Sequence, residues 1–367
     1  MAGELGLQFT FKEKVIEPLK SYRGSDGVAG KEIDLEKFMQ TRLKLTRGNG
    51  DLLTLRDLFS DIGVDPERIS LDNLLSLSND YKYLAPEIIR QFVVRGMELN
   101  VNYKDLIAAT ENVDSLVVTS PWIDYLNPKP LPIGEAETVP KSRFTWGYKT
   151  IRLSKKARAL EWTDELILSV KLPIARHWLQ RVGVELGAML HAEAISTLVS
   201  GDQNDGSDTC PIVGVATAGT LTFEDFVNLW VRSRLISQNW GTVITNERMA
   251  NTLLALAEFK PTNGGLGQAA VGLQSRNWVI PTSLPHLISS NIGDDQILMI
   301  DPAQAMIELV FRPLMVESDR IVMRQISGTA ISILSSFATT ERMARIILDK
   351  SISVADNGFP TWMTPLT

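Results

Sequence analysis

Between Pro173 and Gly201 the chain has no internal proline and carries one long apolar stripe: Ile174, Trp178, Val182, Leu186, Met189 or Leu190, and Leu198. Proline suits the first helical position and glycine the position just past the last, so a helix is predicted over 173–200. At the standard rise its roughly 28 residues reach about 42 Å. A helix that long with a one-sided stripe is a spine on which sheet packs. Gly183 and Gly187 lie one turn apart within it, so another backbone can approach there.

The stretch leading into this helix is strand-patterned and basic. Phe144, Trp146 and Tyr148 alternate along one face of FTWGYKTIRLSKKARALEW, Phe144 to Trp162. Between Lys141 and Arg158 there are seven Lys or Arg and no acid; the net charge of the whole chain is −6, so everything else carries −13. That imbalance argues against the body gripping nucleic acid, which needs a basic face. Residues 127–143 hold Pro128, Pro130, Pro132 and Pro140 with Glu135 and Glu137, and so cannot be helical. They read as the limb and tip of a long hairpin that Phe144–Ile151 completes. A basic ribbon on an acidic body fits an acidic surface of a neighbouring subunit.

Elsewhere the pattern is shorter. Residues 1–50 are weakly patterned, with a helix over Ile33–Leu43 between glycine joints, and read as an arm. Thr54-x-x-Asp57 resembles a capping box before Leu55, Leu58, Phe59 and Ile62. A helix opens near Pro86 and ends at Gly96, a third is capped by Asn102, and Ser115–Ser120 forms a strand ending at Pro121. Beyond the polar loop Asp202–Asp208 the character is α/β. Thr222-x-x-Asp225 opens a helix, Thr242–Thr245 is a strand, and Asn246 caps a helix over Glu247–Phe259. Strands follow at Trp278–Pro281, Ile297–Ile300 and Ala305–Phe311, then in IVMRQI, AISILSSF and ARIILD between Ile321 and Asp349.

At 367 residues, with 44% hydrophobic and 22% charged, the chain is long enough for two or three packed units. The single cysteine, Cys210, forms no intrachain disulfide and reads as a small, partly buried side chain. His177 and His191 stand about 21 Å apart on the long helix and share no metal, and His286 falls in a proline-flanked loop. Gly265-Leu-Gly267-x-x-Ala270 follows a helix end rather than a strand, so it reads as a loop and not a dinucleotide site. Asp202–Gly206 resembles a calcium loop one residue short, with Val213 where a bidentate Glu belongs. No catalytic motif, metal spacing or cofactor site emerges, and no enzyme is expected. The N-terminus lacks a signal-peptide core and no run of about 18 apolar residues occurs, so the expectation is a soluble cytosolic chain with no membrane partner.

The order of these parts resembles the major capsid protein fold of tailed bacteriophages, which encapsulin shells share. The likeness covers about residues 110–350 and is strongest in FTWGYKTIRLSKKARALEWTDELI followed by LPIARHWLQRVGVELGAMLHAEAISTLVSGD. Thr242-Val-Ile-Thr-Asn246 is similar to the centre of the family's axial domain, and AISILSSFATTERMARIILD to its returning peripheral strands.

The resemblance implies an α+β chain with an N-arm over 1–110 and an E-loop hairpin over 111–165. It implies a peripheral domain over 166–212 and 305–355 that includes the spine helix, an axial α/β domain over 213–304, and a tail over 356–367. The arm is expected to be ordered, with a separate scaffolding protein or none. The implied function is a self-assembling icosahedral shell of pentamers and hexamers around a double-stranded DNA genome held without sequence reading. Scaffold, portal and decoration proteins are the further partners. The location is the virion capsid, assembled in the host cytoplasm. Contacts between subunits fall to Lys141, Arg143, Phe144, Trp146, Tyr148, Lys149, Arg152, Lys155 and Lys156, and spine packing to Trp178, Val182, Gly183, Leu186 and Gly187. Some members crosslink a hairpin Lys to a C-terminal Asn; Lys141 or Lys149 with Asn357 would be the participants here, although Asp356-Asn357-Gly358 is equally a turn signal. An encapsulin-like compartment is the second reading, with about 110 residues before the hairpin favouring the phage, and a soluble α/β enzyme is the remote one.

Overall fold

A computed structural model describes residues 84–100, 103–126, 143–163, 165–166, 172–202, 209–235, 240–256, 285–321, 323 and 326–360. The expected helices at 33–43 and 54–62, the hairpin tip 127–142, the glycine-rich loop around Gly265 and the strand at 278–281 lie outside these residues. In chain order the elements are α1 (Leu84–Asn100), β1 (Ala109–Asn112), β2 (Val117–Leu126), β3 (Arg143–Arg152), β4 (Ser154–Thr163) and α2 (Leu172–Ser200). There follow β5 (Ile212–Val215), α3 (Phe223–Leu235), β6 (Thr242–Thr245), α4 (Glu247–Leu254), β7 (His286–Ile288) and β8 (Gln296–Ile300). The last three are β9 (Met306–Ile321), β10 (Ile326–Thr339) and β11 (Arg345–Ser353). Two compact units share them. One takes its described residues from Met1–Val101, Ser154–Leu190 and Phe311–Ser335; the other takes them from Asn102–Leu153, His191–Val310 and Ser336–Thr367.

In the first unit α1 packs on the N-terminal part of α2 with backbone against backbone. A Cβ on Gly183 would stand 2.1 Å from the Val93 carbonyl oxygen, and one on Gly96 would stand 2.1 Å from that of Gln180. Gly96 therefore does not end its helix, as its position suggested. It lies inside α1, where the missing side chain admits α2. The buried side of α2 here is Ala175, Leu179, Val182, Gly183, Leu186, Gly187 and Leu190. Ile174 and Trp178, expected in the stripe, are exposed, and of Met189 or Leu190 it is Leu190 that is buried. Trp178, 41% exposed, stacks instead on buried Trp162 of β4, with ring centroids 5.9 Å apart. β4 pairs antiparallel with β10 over ten residues, Ser154↔Ser335 to Thr163↔Ile326. After β4 the Thr163 hydroxyl accepts from the Leu166 N–H at 3.3 Å, closing the turn toward α2.

The second unit is built on a five-stranded sheet of order β5-β11-β8-β6-β7. Its core gathers Val213, Val215, Phe226, Leu229, Trp240, Val243, Met249, Ile297, Met299, Ile346 and Leu348. The apolar run Ile346-Ile347-Leu348 is buried throughout, as expected of a central strand covered on both faces. The resemblance grouped 345–353 with 305–344; in the structure residues 345–353 pair with the strands at 212–215 and 296–300. The helices around the sheet start where local chemistry places them. Thr222 and Asp225 form a reciprocal cap on α3, the carboxylate accepting from the Thr222 N–H at 2.9 Å and the hydroxyl accepting from the Asp225 N–H at 3.4 Å. Asn246 caps α4 through the Met249 N–H at 2.8 Å. α4 stops at Leu254, short of the expected Phe259, where the Leu256 N–H turns back to the Leu253 carbonyl at 3.2 Å, three residues away and not four.

Other elements differ from the sequence pattern for definite reasons. β9 ends at Ile321 and β10 begins at Ile326, so IVMRQI is not one strand. His286 begins β7, paired in parallel with β6, and does not sit in a loop. By length and hydropathy alone Ile174–Ser200 could cross a membrane, which the absence of an 18-residue apolar run had not suggested, yet half of that stretch is buried in protein as a core helix is.

Candidate assembly surface

The second unit carries a two-stranded antiparallel ribbon, β2 with β3, whose register runs from Val117↔Arg152 to Leu126↔Arg143. Ten pairs at the usual rise make it about 30 Å long. Pro121 does not end β2 but lies within it opposite Tyr148, since each strand of a two-stranded ribbon keeps a free edge where a residue without an N–H is tolerated. The base of the ribbon is held by its own unit: Ile151, Leu309 and Ala338 form a buried cluster with Val113, Val118 and Leu153 against it. Beyond the base the register sets Phe144, Trp146 and Tyr148 opposite Tyr125, Ile123 and Pro121. Opposed residues share a face, so six positions of one face are apolar, aromatic or proline. Among the described residues no third strand pairs with the ribbon. A two-stranded pair is marginal alone in water and gains stability by packing on something else.

The basic residues divide. Lys141 lies outside the described residues; Arg143 and Lys149 stand in β3; Arg152 and Lys155 are exposed. Lys156 is 7% exposed and its ammonium donates to the Ser335 carbonyl at 2.5 Å, so it serves β10 of its own unit and is withdrawn from the set that could meet another subunit. Arg158 is likewise engaged within its unit, in an ion pair with Glu185, which Arg181 also approaches at 3.7 Å. Of the spine residues, Val182, Gly183, Leu186 and Gly187 are buried.

Asn357 stands in a turn after β11. Its N–H donates to the Ser353 carbonyl at 2.9 Å and its carbonyl accepts from the Gly214 N–H at 2.9 Å, while the Ser353 hydroxyl bonds Asp356 at 2.5 Å. The turn reading of Asp356-Asn357-Gly358 is thus realised.

Two groups escaped the sequence pattern. Arg345, fully buried, donates to the Thr197 and Leu198 carbonyls at 3.0 and 2.8 Å, placing a cation on the C-terminal end of α2. The Gly201 N–H closes the same end on the Thr197 carbonyl at 2.9 Å, with Gly201 at φ 82°. Only the glycine was readable locally, because Arg345 arrives from far along the chain. Glu341 is the second: burial and then the charge of Asp301 hold its carboxyl above the ordinary value.

The histidines are separate. His177 is exposed, burial lowers His191, and burial lowers His286 to about 4 while its Nε2 lies 2.7 Å from the Thr245 hydroxyl. Among the described residues no group of three or more His, Cys, Asp or Glu could hold a metal ion. Cys210 is buried.

No family model and no curated protein matches the chain. Solved structures do. The chain is similar to the capsid of an empty GTA particle, with TM-score 0.51 and 13% identity, over 69% of this chain and 90% of that one. It is also similar to the capsid of the cyanophage P-SCSP1u, with TM-score 0.49 and 11% identity over 68% and 88%. A virus-like particle from Pyrococcus furiosus aligns with TM-score 0.45 and 11% identity over 72% and 98%. Of these three the first establishes a shared fold: the mixed helix and sheet architecture of this chain is that of a capsid protein.

Proposed function

We propose that the chain is the major capsid protein of a tailed phage. It assembles with itself into an icosahedral shell of pentamers and hexamers enclosing double-stranded DNA. The reading is carried by the fold shared with a particle capsid over most of both chains. The long ribbon, with no third strand among the described residues, supports it, because such an element is suited to lie on another copy.

In this assignment residues 1–110 are the arm and β2–β3 the E-loop, whose Arg143, Phe144, Trp146, Tyr148, Lys149 and Arg152 meet the neighbouring subunit, with Lys155 beside them. α2 is the spine of a peripheral domain over 166–212 and 305–344. Residues 213–304 join β11 in the axial domain. The shell needs no catalysis. Crosslinking through Lys141 or Lys149 with Asn357 is not part of this reading, because Asp356-Asn357-Gly358 is equally a turn signal. Assembly in the host cytoplasm, with scaffold, portal and decoration proteins, completes the proposal.

Electron microscopy of the purified chain tests it directly. Closed icosahedral particles are expected; a monodisperse monomer across micromolar concentrations would refute it. Particles isolated from their natural source and holding a protein cargo in place of DNA would turn the assignment to an encapsulin-like compartment.

A further inference from the structure

Asn357 is the one described asparagine that precedes a glycine; the other Asn-Gly pairs, Asn49-Gly50 and Asn263-Gly264, lie outside the described residues. Asn357 and Gly358 are both exposed in the turn after β11. The backbone of Asn357 is held on two sides. Its N–H donates to the Ser353 carbonyl, and its carbonyl accepts from the Gly214 N–H of β5, each at 2.9 Å. Among the described residues, neither the Gly358 N–H nor the side-chain amide of Asn357 makes a hydrogen bond. Just beyond, the half-buried Phe359 packs on the core of the second unit and lies under Arg232, whose guanidinium carbon is 4.1 Å from the ring centroid.

An unbonded amide beside an unbonded, uncrowded backbone nitrogen can react with it. Gly358 has no side chain to shield that nitrogen. The bond accepted by the Asn357 carbonyl polarises the Asn357–Gly358 peptide and makes the Gly358 N–H more acidic. We propose that Asn357-Gly358 is a self-modification site, and that its isoaspartyl product unseats Phe359 from Arg232. The Gly358 nitrogen gives its proton to hydroxide and attacks the Asn357 Cγ. A C–N bond forms and closes a succinimide, and the side-chain nitrogen takes a proton from water and leaves as ammonia. Water then opens the ring at one carbonyl or the other, giving aspartate or isoaspartate. In isoaspartate the former main-chain carbonyl is a free carboxylate, which can still accept from Gly214. The chain onward to Phe359 now leaves through Cγ and is one methylene longer, so the ring no longer reaches its seat. This chemistry belongs to a single chain and goes beyond the shell reading, with which it neither stands nor falls.

The test incubates the full chain at mildly acidic and mildly alkaline pH. Peptide mapping by mass follows the amide-to-acid change at Asn357, and an isoaspartyl methyltransferase reports isoaspartate. Conversion in the folded chain is expected, faster at the alkaline pH. Gly358 is not at positive φ, and a Cβ there would stand 3.3 Å from the Val354 carbonyl oxygen, so Gly358→Ala is expected to fold. It should convert about tenfold more slowly, a barrier higher by about 1.4 kcal/mol. Conversion of that variant at the parent's rate would overturn the site. So would a folded chain that keeps Asn357 intact while chain unfolded in guanidinium converts, since the turn would then hold the amide away from the nitrogen. Ammonia loss that joins Asn357 to a lysine of another copy, seen as a covalent dimer, would overturn hydrolysis as the outcome. The effect on Phe359 is read by urea unfolding. The isoaspartyl form should have a lower midpoint than fresh chain, and Phe359→Ala should abolish the difference between the two forms. Equal midpoints in the parent, or an undiminished difference in Phe359→Ala, would overturn the unseating.

Discussion

Single residues decide how closely the helices of the first unit approach. Alanine at Gly183 gains about 1 kcal/mol of helix propensity. It also sets a methyl group 2.1 Å from the Val93 carbonyl oxygen and 2.9 Å from the Met97 nitrogen, both backbone atoms that cannot step aside. Overpacking of this kind costs up to about 3 kcal/mol, so Gly183→Ala is expected to lose about 2 kcal/mol net, seen as a lower urea midpoint at unchanged slope. An unchanged midpoint would mean that the helices separate without cost. Glu341 sets a pH dependence of opposite sense to the usual carboxylate. Its folded-state pKa is raised above the ordinary 4.5 by burial and by Asp301, so the folded chain holds this proton more tightly than the unfolded chain does. The associated stability is present below the unfolded value and is lost as pH rises from there through the folded value. Glu341→Gln should therefore stabilise the chain at pH 7 and have no such effect near pH 3. Thermal melts at the two pH values check it, and an equal gain at both would show that ionisation is not the cause.

At the scale of elements the ribbon is the part whose stability its own unit does not explain. Ile151 and Val118 anchor its foot, but the pairs from Pro121↔Tyr148 outward have no third strand among the described residues. Reversing Arg143 and Lys149 together leaves the sheet of β5, β6, β7, β8 and β11 untouched. Folded subunits with an assembled fraction at least several-fold lower are expected, read by sedimentation; a normal particle yield would remove the ribbon from the interface. What could be read in the sequence follows from how local each signal is. The helix over 173–200 was legible because Pro173 and Gly201 mark its ends within the segment itself, and Thr222 and Asn246 announced their helices in the same way. The β4–β10 pairing was not, because Lys156 and Ile333 meet across a separation that no local periodicity encodes. The same distance hid the role of Arg345 at the end of α2 and the place of β11 in the middle of the sheet. Gly96 and Pro121 misled for a different reason. Each usually ends an element, but here one is needed for a helix contact and the other sits on a ribbon with free edges.

For the whole molecule, charge determines what the proposed shell would require in order to form. A chain of net charge −6 whose cations were free along one face could still bind phosphate through that face. Within the basic stretch, however, Lys156 donates to the Ser335 carbonyl and Arg158 is paired with Glu185, so two of the seven cations are already engaged. The remaining chain carries −13 and repels phosphate. On the proposed function, nucleic acid is not the counterion that drives assembly, and the ribbon's charges are expected to act between copies of the protein. Chain purified after nuclease treatment should form particles as readily as untreated chain, with an absorbance ratio typical of protein alone. Raising salt from 0.1 to 1 M shortens the screening length from about 10 Å to about 3 Å. It should weaken assembly only in part, because the apolar face of the ribbon is unaffected by screening. Assembly that requires added DNA, or particles that dissolve under nuclease, would show instead that the cations of β3 and β4 are directed at phosphate.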